Sequence, residues 1–419
     1  MISFIHTADI HFGMENYGKV DPQTGIHSRL LDFVRAVNYC IDIAIERNVD
    51  FFLFSGDAYK TAHPSQTQQK LLFQCFMRLY KANIPIVIVI GNHDNPLSFG
   101  KAHALDIFGS IPLDGFHVIA KPTTIPLITK NGPINIVGIP WPTRNTITIA
   151  NKHLNTSASE ITQYISRAVA TIIKNFAAQL DPKIPAVLAA HLTVANGIFS
   201  GSEKRAVYGS DPLLLPSELS IKPFDYVALG HLHRYQNLAA DNYPAVVYSG
   251  SPERIDFGER NDEKGFCLVT IEKKNNTKHE FIKTPTRPFI QIELSLGKSE
   301  GNFTQQIIRE IERHHLKEAI VKIIYHLPAG ALDTVDLKAI QAACESAHYL
   351  VGIIPIRKIE IRERRIGILA SAQQNLPSLL SLYCDTKPTL KVKKEMLISL
   401  TQQLLAEHEM RTTSEEAEL

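Results

Sequence analysis

The sequence is short of cysteine and has no cysteine pair. Five cysteines (Cys40, Cys75, Cys267, Cys344 and Cys384) are scattered over 419 residues, odd in number and nowhere spaced as CxxC. That usage argues against a disulfide framework or a zinc–thiolate site and fits reduced thiols in a cytoplasmic protein. No apolar run reaches the roughly 18 residues a membrane helix needs, so no membrane association is expected. The opening Met1-Ile-Ser-Phe-Ile-His-Thr-Ala-Asp9 has neither a basic stretch nor a cleavable apolar one, so secretion is not expected either. An excess of one charge is also missing. Lys and Arg number 44 against 42 Asp and Glu, a formal balance of +2. Composition therefore announces no polyanionic partner, and any claim on nucleic acid must rest on a site. A Gly-x-x-x-x-Gly-Lys-Ser/Thr segment is absent, so this chain should not bind ATP through a P-loop.

What is present is ordinary in bulk and unusual in one residue. Hydrophobic residues make up 44% and charged residues 21%, the balance of a soluble globular protein. A chain of this length buries roughly three quarters of its surface and needs neither disulfides nor metals merely to fold. Histidine stands out at 17. It carries meaning only if the rings fall where chemistry can use them.

Short apolar runs alternate with amphipathic stretches over residues 1–285. The runs Ser3–Ala8, Asp50–Ser55, Ile84–Ile90, Ile134–Ile139, Ile184–Ala190, Tyr226–Leu229 and Ala245–Tyr248 are rich in β-branched residues and end at Gly, Pro, Asp or His. They predict strands apolar on both faces inside a layered α/β domain. Leu30, Phe33, Val37, Ile41 and Ile45 repeat at helical spacing, and Ser157-x-x-Glu160 is a capping box opening another helix. From Thr284-Pro-Thr-Arg-Pro288 the pattern changes to strand, helix, strand, helix, strand, a small α+β domain over residues 286–366. Residues 367–419 read as a linker and two amphipathic helical segments.

Five motifs sit where apolar strands end. They are Asp9-Ile-His11, Gly56-Asp57, Gly91-Asn92-His93-Asp94, His191, and Gly230-His231-Leu-His233. Ligands of open α/β sheets bind outside the carboxyl ends of strands, so these ends can converge. In extended backbone the i, i+2 spacing of Asp9 with His11, and of His231 with His233, puts both side chains on one face. Imidazoles and hard oxygens without thiolates suit Mn²⁺, Fe or Zn²⁺. The set is large enough for two ions with a shared carboxylate. Two such ions about 3.5–4 Å apart stabilise the attacking and leaving oxygens of a phosphoryl displacement.

This ordered set resembles the calcineurin-like metallophosphoesterase superfamily, over residues 1 to about 260. Within it, His6-Thr-Ala-Asp-Ile-His-Phe-Gly13 and Tyr248-Ser-Gly-Ser-Pro-Glu-Arg-Ile-Asp-Phe-Gly258 are similar to the nuclease subunits of SbcCD-type complexes. The resemblance implies a layered β-sandwich flanked by helices, with a capping α+β domain and C-terminal helices. It implies two divalent metal ions, Mn²⁺ first among them. One would be held by Asp9, His11, Asp57 and His233, the other by Asp57, Asn92, His191 and His231, with Asp57 bridging. His93 would be the proton donor. Many relatives carry histidine three residues after the bridging aspartate, where this chain has Lys60, so the auxiliary role at that position does not carry over directly. Asp94 either orients a ring or caps a loop. The family also implies duplex DNA as substrate, an SbcC-type coiled-coil ATPase docked on the terminal helices, and a homodimer, placed on Leu72, Phe76, Met77 and the stretch 102–108. The basic segment Ile356–Arg365, with Arg357, Lys358, Arg362, Arg364 and Arg365, is a candidate phosphate-contacting strand, and Arg144, Arg254 and Arg260 are further candidates. The leading expectation is a nuclease acting on duplex ends, single strands and hairpins. The alternatives are a phosphodiesterase for small nucleotides and a DNA-end tether that does not cut.

Overall fold

The computed structural model describes residues 1–96, 102–110, 112–143, 157–201, 211–239, 242–297, 302–357, 376–385 and 387–415. Two six-stranded mixed sheets form its centre. In the first, β1 (Ile2–Thr7), β2 (Phe51–Phe54), β3 (Ile86–Val89) and β4 (Phe116–Ile119) run parallel. In the second, β5 (Thr123–Thr129) lies antiparallel on β6 (Gly132–Ile139), which continues in parallel through β7 (Ala186–His191) to a later strand. A two-residue pair, β8 (Thr193–Val194) and β9 (Leu213–Leu214), stands apart. That later strand is β10 (Tyr226–Gly230), and the sheet finishes with β11 (Gln236–Asn237) and β12 (Val246–Tyr248). The hairpin of β13 (Gly265–Lys273) and β14 (Asn276–Lys283) returns to the first sheet, antiparallel to β1.

Burial explains why the strands read as apolar on both faces. Phe51 and Leu53 point between the sheets, where Phe4, Val87 and Val89 meet Ile136, Val187, Ala189 and Ala228. Phe52 and Phe54 point the other way, onto Leu30, Phe33 and Val37 of the helix Ser28–Glu46 and Leu72 and Phe76 of the helix Gln66–Lys81. On the second sheet, Leu188, Ala190, Val227 and Leu229 face Ile165, Val169 and Ile173 of the helix Ala158–Gln179. The result is helix, sheet, sheet, helix, the layered sandwich that the sequence predicts. Ser157 and Glu160 form the reciprocal cap at the start of that last helix. His6 ties the layers together: its ring is fully buried, with Nδ1 3.2 Å from the Tyr226 hydroxyl and Nε2 3.2 Å from the carbonyl of Leu229, across the gap between sheets.

A third sheet, of β15 (Phe289–Ser295), β16 (Ile320–Leu327) and β17 (Tyr349–Arg357), carries the helices Phe303–Ile311 and Leu337–Ala343. By contact density, Met1–His326 and Thr334–Ile356 make one compact unit, and Leu327–Asp333 with Arg357–Leu419 make another. The second unit holds the helices Leu376–Asp385, Pro388–Lys391 and Lys394–Glu415. Their Leu376, Tyr383, Met396, Leu400 and Leu404 are exposed. No described helix is long and apolar enough to cross a membrane.

Leu72 and Phe76 are fully buried in the core, so they are not part of a surface for a second copy. The neighbouring side chains Tyr59, Gln69, Lys70, Phe73, Ile107 and Phe108 instead line a hollow of about 360 Å³. Arg254 is also placed differently from the expectation of a phosphate contact. Its guanidinium donates to the Thr286 hydroxyl and to the carbonyls of Arg287 and Asp262, strapping the loop after β12 to the segment leading into β15. Arg260 donates to the carbonyl of Phe257. Arg357 is exposed at the end of β17, while Arg144, Lys358, Arg362, Arg364 and Arg365 lie outside the described residues.

Candidate metal centre

The carboxyl ends of five strands open onto one place. Asp9 and His11 follow β1, Asp57 follows β2, and Asn92 and His93 follow β3. His191 closes β7, and His231 and His233 follow β10. The paired motifs do not reach the site as extended chain. Asp9, His11, Asp57 and His231 all have positive φ, at 55°, 51°, 60° and 107°. Each strand has ended, and its backbone bends to bond across the sheet: Asp9 N–H donates to the carbonyl of Gly56 and His11 N–H to that of Asp57. Left-handed backbone at non-glycine residues is costly and collects at functional sites. The glycines serve packing as much as turning. A Cβ on Gly91 would sit 2.1 Å from Oδ1 of Asp57, and one on Gly230 would sit 2.1 Å from the carbonyl of Ser55.

All seven proposed donors come together. His11 Nε2 lies 3.1 Å from His233 Nε2. Oδ2 of Asp57 is 3.6 Å from Nε2 of His11 and 3.5 Å from Nε2 of His191. The Oδ1 of Asn92 accepts from Nε2 of His191 at 2.9 Å and from Nδ1 of His231 at 3.1 Å. Asp9 accepts the backbone N–H of His231. The donor atoms of Asp9, His11 and His233 lie within 4.8 Å of one another, as do those of Asp9, Asp57 and His191. Those of His11, Asp57 and His93 form a third such group, with His93 at its exposed edge.

Burial of so many ionisable groups distorts their acidity. Burial pushes Asp9 up to about 7 although His191 and His233 pull it down. Burial acts on Asp57 in the same direction, but His191 and His11 outweigh it and hold that carboxyl far below its usual range. For His191, burial lowers the ring, and the Asp57 carboxylate more than reverses this, lifting it to about 9. Burial keeps His11 and His231 low. Two imidazole nitrogens facing each other at 3.1 Å beside two buried carboxylates is an arrangement that divalent cations satisfy, and the donor types are those of Mn²⁺, Fe or Zn²⁺. The residues fit the metals.

The side chains around the donors have distinct tasks. Asp94 is a loop cap: its carboxylate accepts backbone N–H groups of Asp57, Ala58, Tyr59 and Gly91. Burial and the charge of Asp57 push Asp94 up to about 7, against the amides of Gly91 and Tyr59. The side chain of Lys60 is exposed, and its main chain makes the contact, its carbonyl accepting Nδ1–H of His93 at 2.7 Å. His93 N–H in turn donates to Oδ1 of Asp57 at 2.9 Å. Sequence reasoning missed Glu259, Asp211 and Trp141. Glu259 accepts Nδ1–H of His233 at 2.8 Å, Asp211 stands 3.5 Å from Nε2 of His231, and the Trp141 ring lies 4.8 Å from that of His231. No spacing rule marks them. Only Trp141, as the single tryptophan, offered a signal.

A double-sheet α/β sandwich with Asp, Asn and His donors at converging strand ends is the make-up of a metal-dependent phosphoesterase. Residues 2–235 match the calcineurin-like phosphoesterase family, and the chain belongs to it. It is 26% identical over 306 residues to the SbcD subunit of the SbcCD nuclease of Bacillus subtilis, covering 71% of this chain and 73% of that one. Among solved structures, one from Thermus thermophilus aligns at 12% identity and TM-score 0.37, over 67% of this chain and 98% of its own. A dimetal phosphatase from Danio rerio aligns at 9% identity and TM-score 0.39, over 68% of this chain and 99% of its own.

Proposed function

We propose that this chain is the nuclease subunit of a DNA break-processing complex, hydrolysing phosphodiester bonds at duplex ends and in single strands and hairpins. The observation that carries the reading is the shared position of Asp57 Oδ2 between His11 and His191, with the similarity to an SbcD subunit as its context. Asp9, His11, Asp57 and His233 would hold one divalent ion, and Asp57, Asn92, His191 and His231 the other, most simply Mn²⁺. Bound there, the pair polarises a phosphodiester and supplies a nucleophile at neutral pH. The chain's own residues do the rest. Asp94 fixes the Asp57 loop through its four amides. The Lys60 carbonyl keeps the proton of His93 on Nδ1, so a second proton taken up at Nε2 is the one available to the departing oxygen.

In this reading residues 1–285 form the nuclease domain, 286–366 cap it and contact duplex DNA, and 367–419 dock an SbcC-type ATPase in the cytoplasm. Arg357, Lys358, Arg362, Arg364 and Arg365 would touch phosphates. The exposed apolar residues of the terminal helices are the support for docking. A homodimer belongs to the same reading. The test is cleavage of end-labelled linear duplex and hairpin DNA with manganese, with and without the ATPase, beside a cyclic nucleotide. DNA cleavage that disappears in His93→Leu while bound metal stays unchanged is the expected result. A protein that holds both metals and leaves DNA intact overturns the proposal.

A further inference from the structure

Glu259 is completely buried beside the metal donors and belongs to none of the strand-end motifs. It ends the single turn Phe257–Glu259. Its Oε1 accepts Nδ1–H of His233 at 2.8 Å, and its Oε2 accepts the N–H of Ile255 at 2.8 Å. Nζ of Lys264, itself buried, lies 2.8 Å from Oε2. The same ammonium donates to the carbonyl of His233 and to Oγ of Ser251, each at 3.0 Å. One ion pair therefore grips His233 at both its ring and its backbone.

Stability alone gives no reason to prefer this arrangement to an apolar one. A buried ion pair is often no better than two well-packed apolar side chains, because desolvation offsets the attraction. Chemistry does account for it. A carboxylate paired with an ammonium accepts hydrogen bonds and donates none, so the proton between Glu259 and His233 must sit on Nδ1. In a neutral ring that leaves the lone pair on Nε2, the atom 3.1 Å from His11 Nε2. Ligating histidines are commonly fixed in this manner, by a carboxylate or carbonyl on the ring nitrogen turned away from the metal. Phe257, at the other end of the turn, packs its ring 5.0 Å from that of Phe289 in β15. The turn thus also joins the metal centre to the three-stranded sheet.

We infer that Glu259, clamped by Lys264, is a positioning residue that holds His233 as the Nδ1–H tautomer with Nε2 presented to a cation. This rests on the dinuclear site proposed above. Nitrogen NMR of histidine-labelled, metal-free protein, with His233 assigned through His233→Gln, is expected to show the proton on Nδ1. In the double variant Glu259→Leu with Lys264→Met, which replaces the ion pair by apolar groups, His233 is expected to become a mixture of tautomers. One of two manganese sites should weaken about 10- to 100-fold while the other is kept. A wild-type His233 protonated at Nε2, or a folded double variant with both manganese affinities unchanged, overturns the inference. If the double variant does not fold, the wild-type tautomer decides. If wild-type protein binds no manganese, the dinuclear reading falls, and the tautomer measurement still judges Glu259.

Discussion

The Nε2 atoms of His11 and His233 stand 3.1 Å apart, although 222 residues separate them in the chain. His11 follows β1 of the first sheet and His233 follows β10 of the second, so the centre closes the gap between the layers. Without metal, one of the two nitrogens must donate a proton to the other; with both presenting lone pairs, a cation has to lie against them.

Metal should therefore stabilise the fold itself. Manganese at a hundred times its dissociation constant is expected to add about 2.7 kcal/mol per site. Thermal unfolding with manganese and with chelator measures this. Equal unfolding temperatures in the two conditions would show that the donors hold no ion in the folded state.

Asp57 shares one oxygen between the two halves of the centre, while Asn92 serves only one half. Asp57→Asn should lose both ions and Asn92→Ala one, read as bound manganese per chain by elemental analysis. Retention of one ion by Asp57→Asn would remove the bridging role.

Asp94→Ala leaves four backbone amides without their acceptor. Each buried unmet donor costs about 1–3 kcal/mol, and partial access of water reduces the sum, so a loss of about 3 kcal/mol or more is expected. Denaturant unfolding measures the loss, and manganese titration should weaken with it because the loop carries Asp57.

Lys60→Ala should leave turnover nearly unchanged, since the side chain removed is exposed and the contact to His93 is made by the main chain. The carbonyl that holds His93 is unchanged by the substitution. A fall of about a hundredfold in turnover, some 2.7 kcal/mol of barrier, would instead place the lysine ammonium on the substrate.

His6 predicts an acid limb of stability away from the metal donors. Burial lowers its ring to about 3, against 6.5 when exposed. The folded state thus keeps His6 neutral where the unfolded chain takes up a proton. Its contribution is complete above pH 6.5 and is lost as pH falls toward 3, by an amount on the order of a few kcal/mol. Denaturant midpoints of wild type and His6→Gln, compared near neutral pH and again in mild acid, should converge on acidification. A gap that stays constant would show that His6 is not the titrating group.

The strand-end motifs were legible because each is local. Asp9-Ile-His11 and Gly230-His231-Leu-His233 announce themselves beside apolar runs, and both-face burial makes β2, β3, β7 and β10 continuous hydrophobic segments. Strand β14 escaped for the opposite reason: it is half-exposed and interleaved with Lys278, His279, Glu280 and Lys283. The expectation of extended backbone at Asp9 and His11 failed because the strand stops before them and the chain bonds sideways to Gly56 and Asp57.

The amino-acid order by itself determined the layered α/β class, the capped helix at Ser157 and which side chains carry donors, since these depend on periodicity and residue chemistry within a few positions. Only the tertiary structure decided that Glu259 and Lys264 contact His233, that Asp94 cages the Asp57 loop, and that the Lys60 carbonyl meets the His93 ring. Those roles are set by which atoms face one another at hydrogen-bond distance. That facing arises when strands far apart in the chain pack into two sheets.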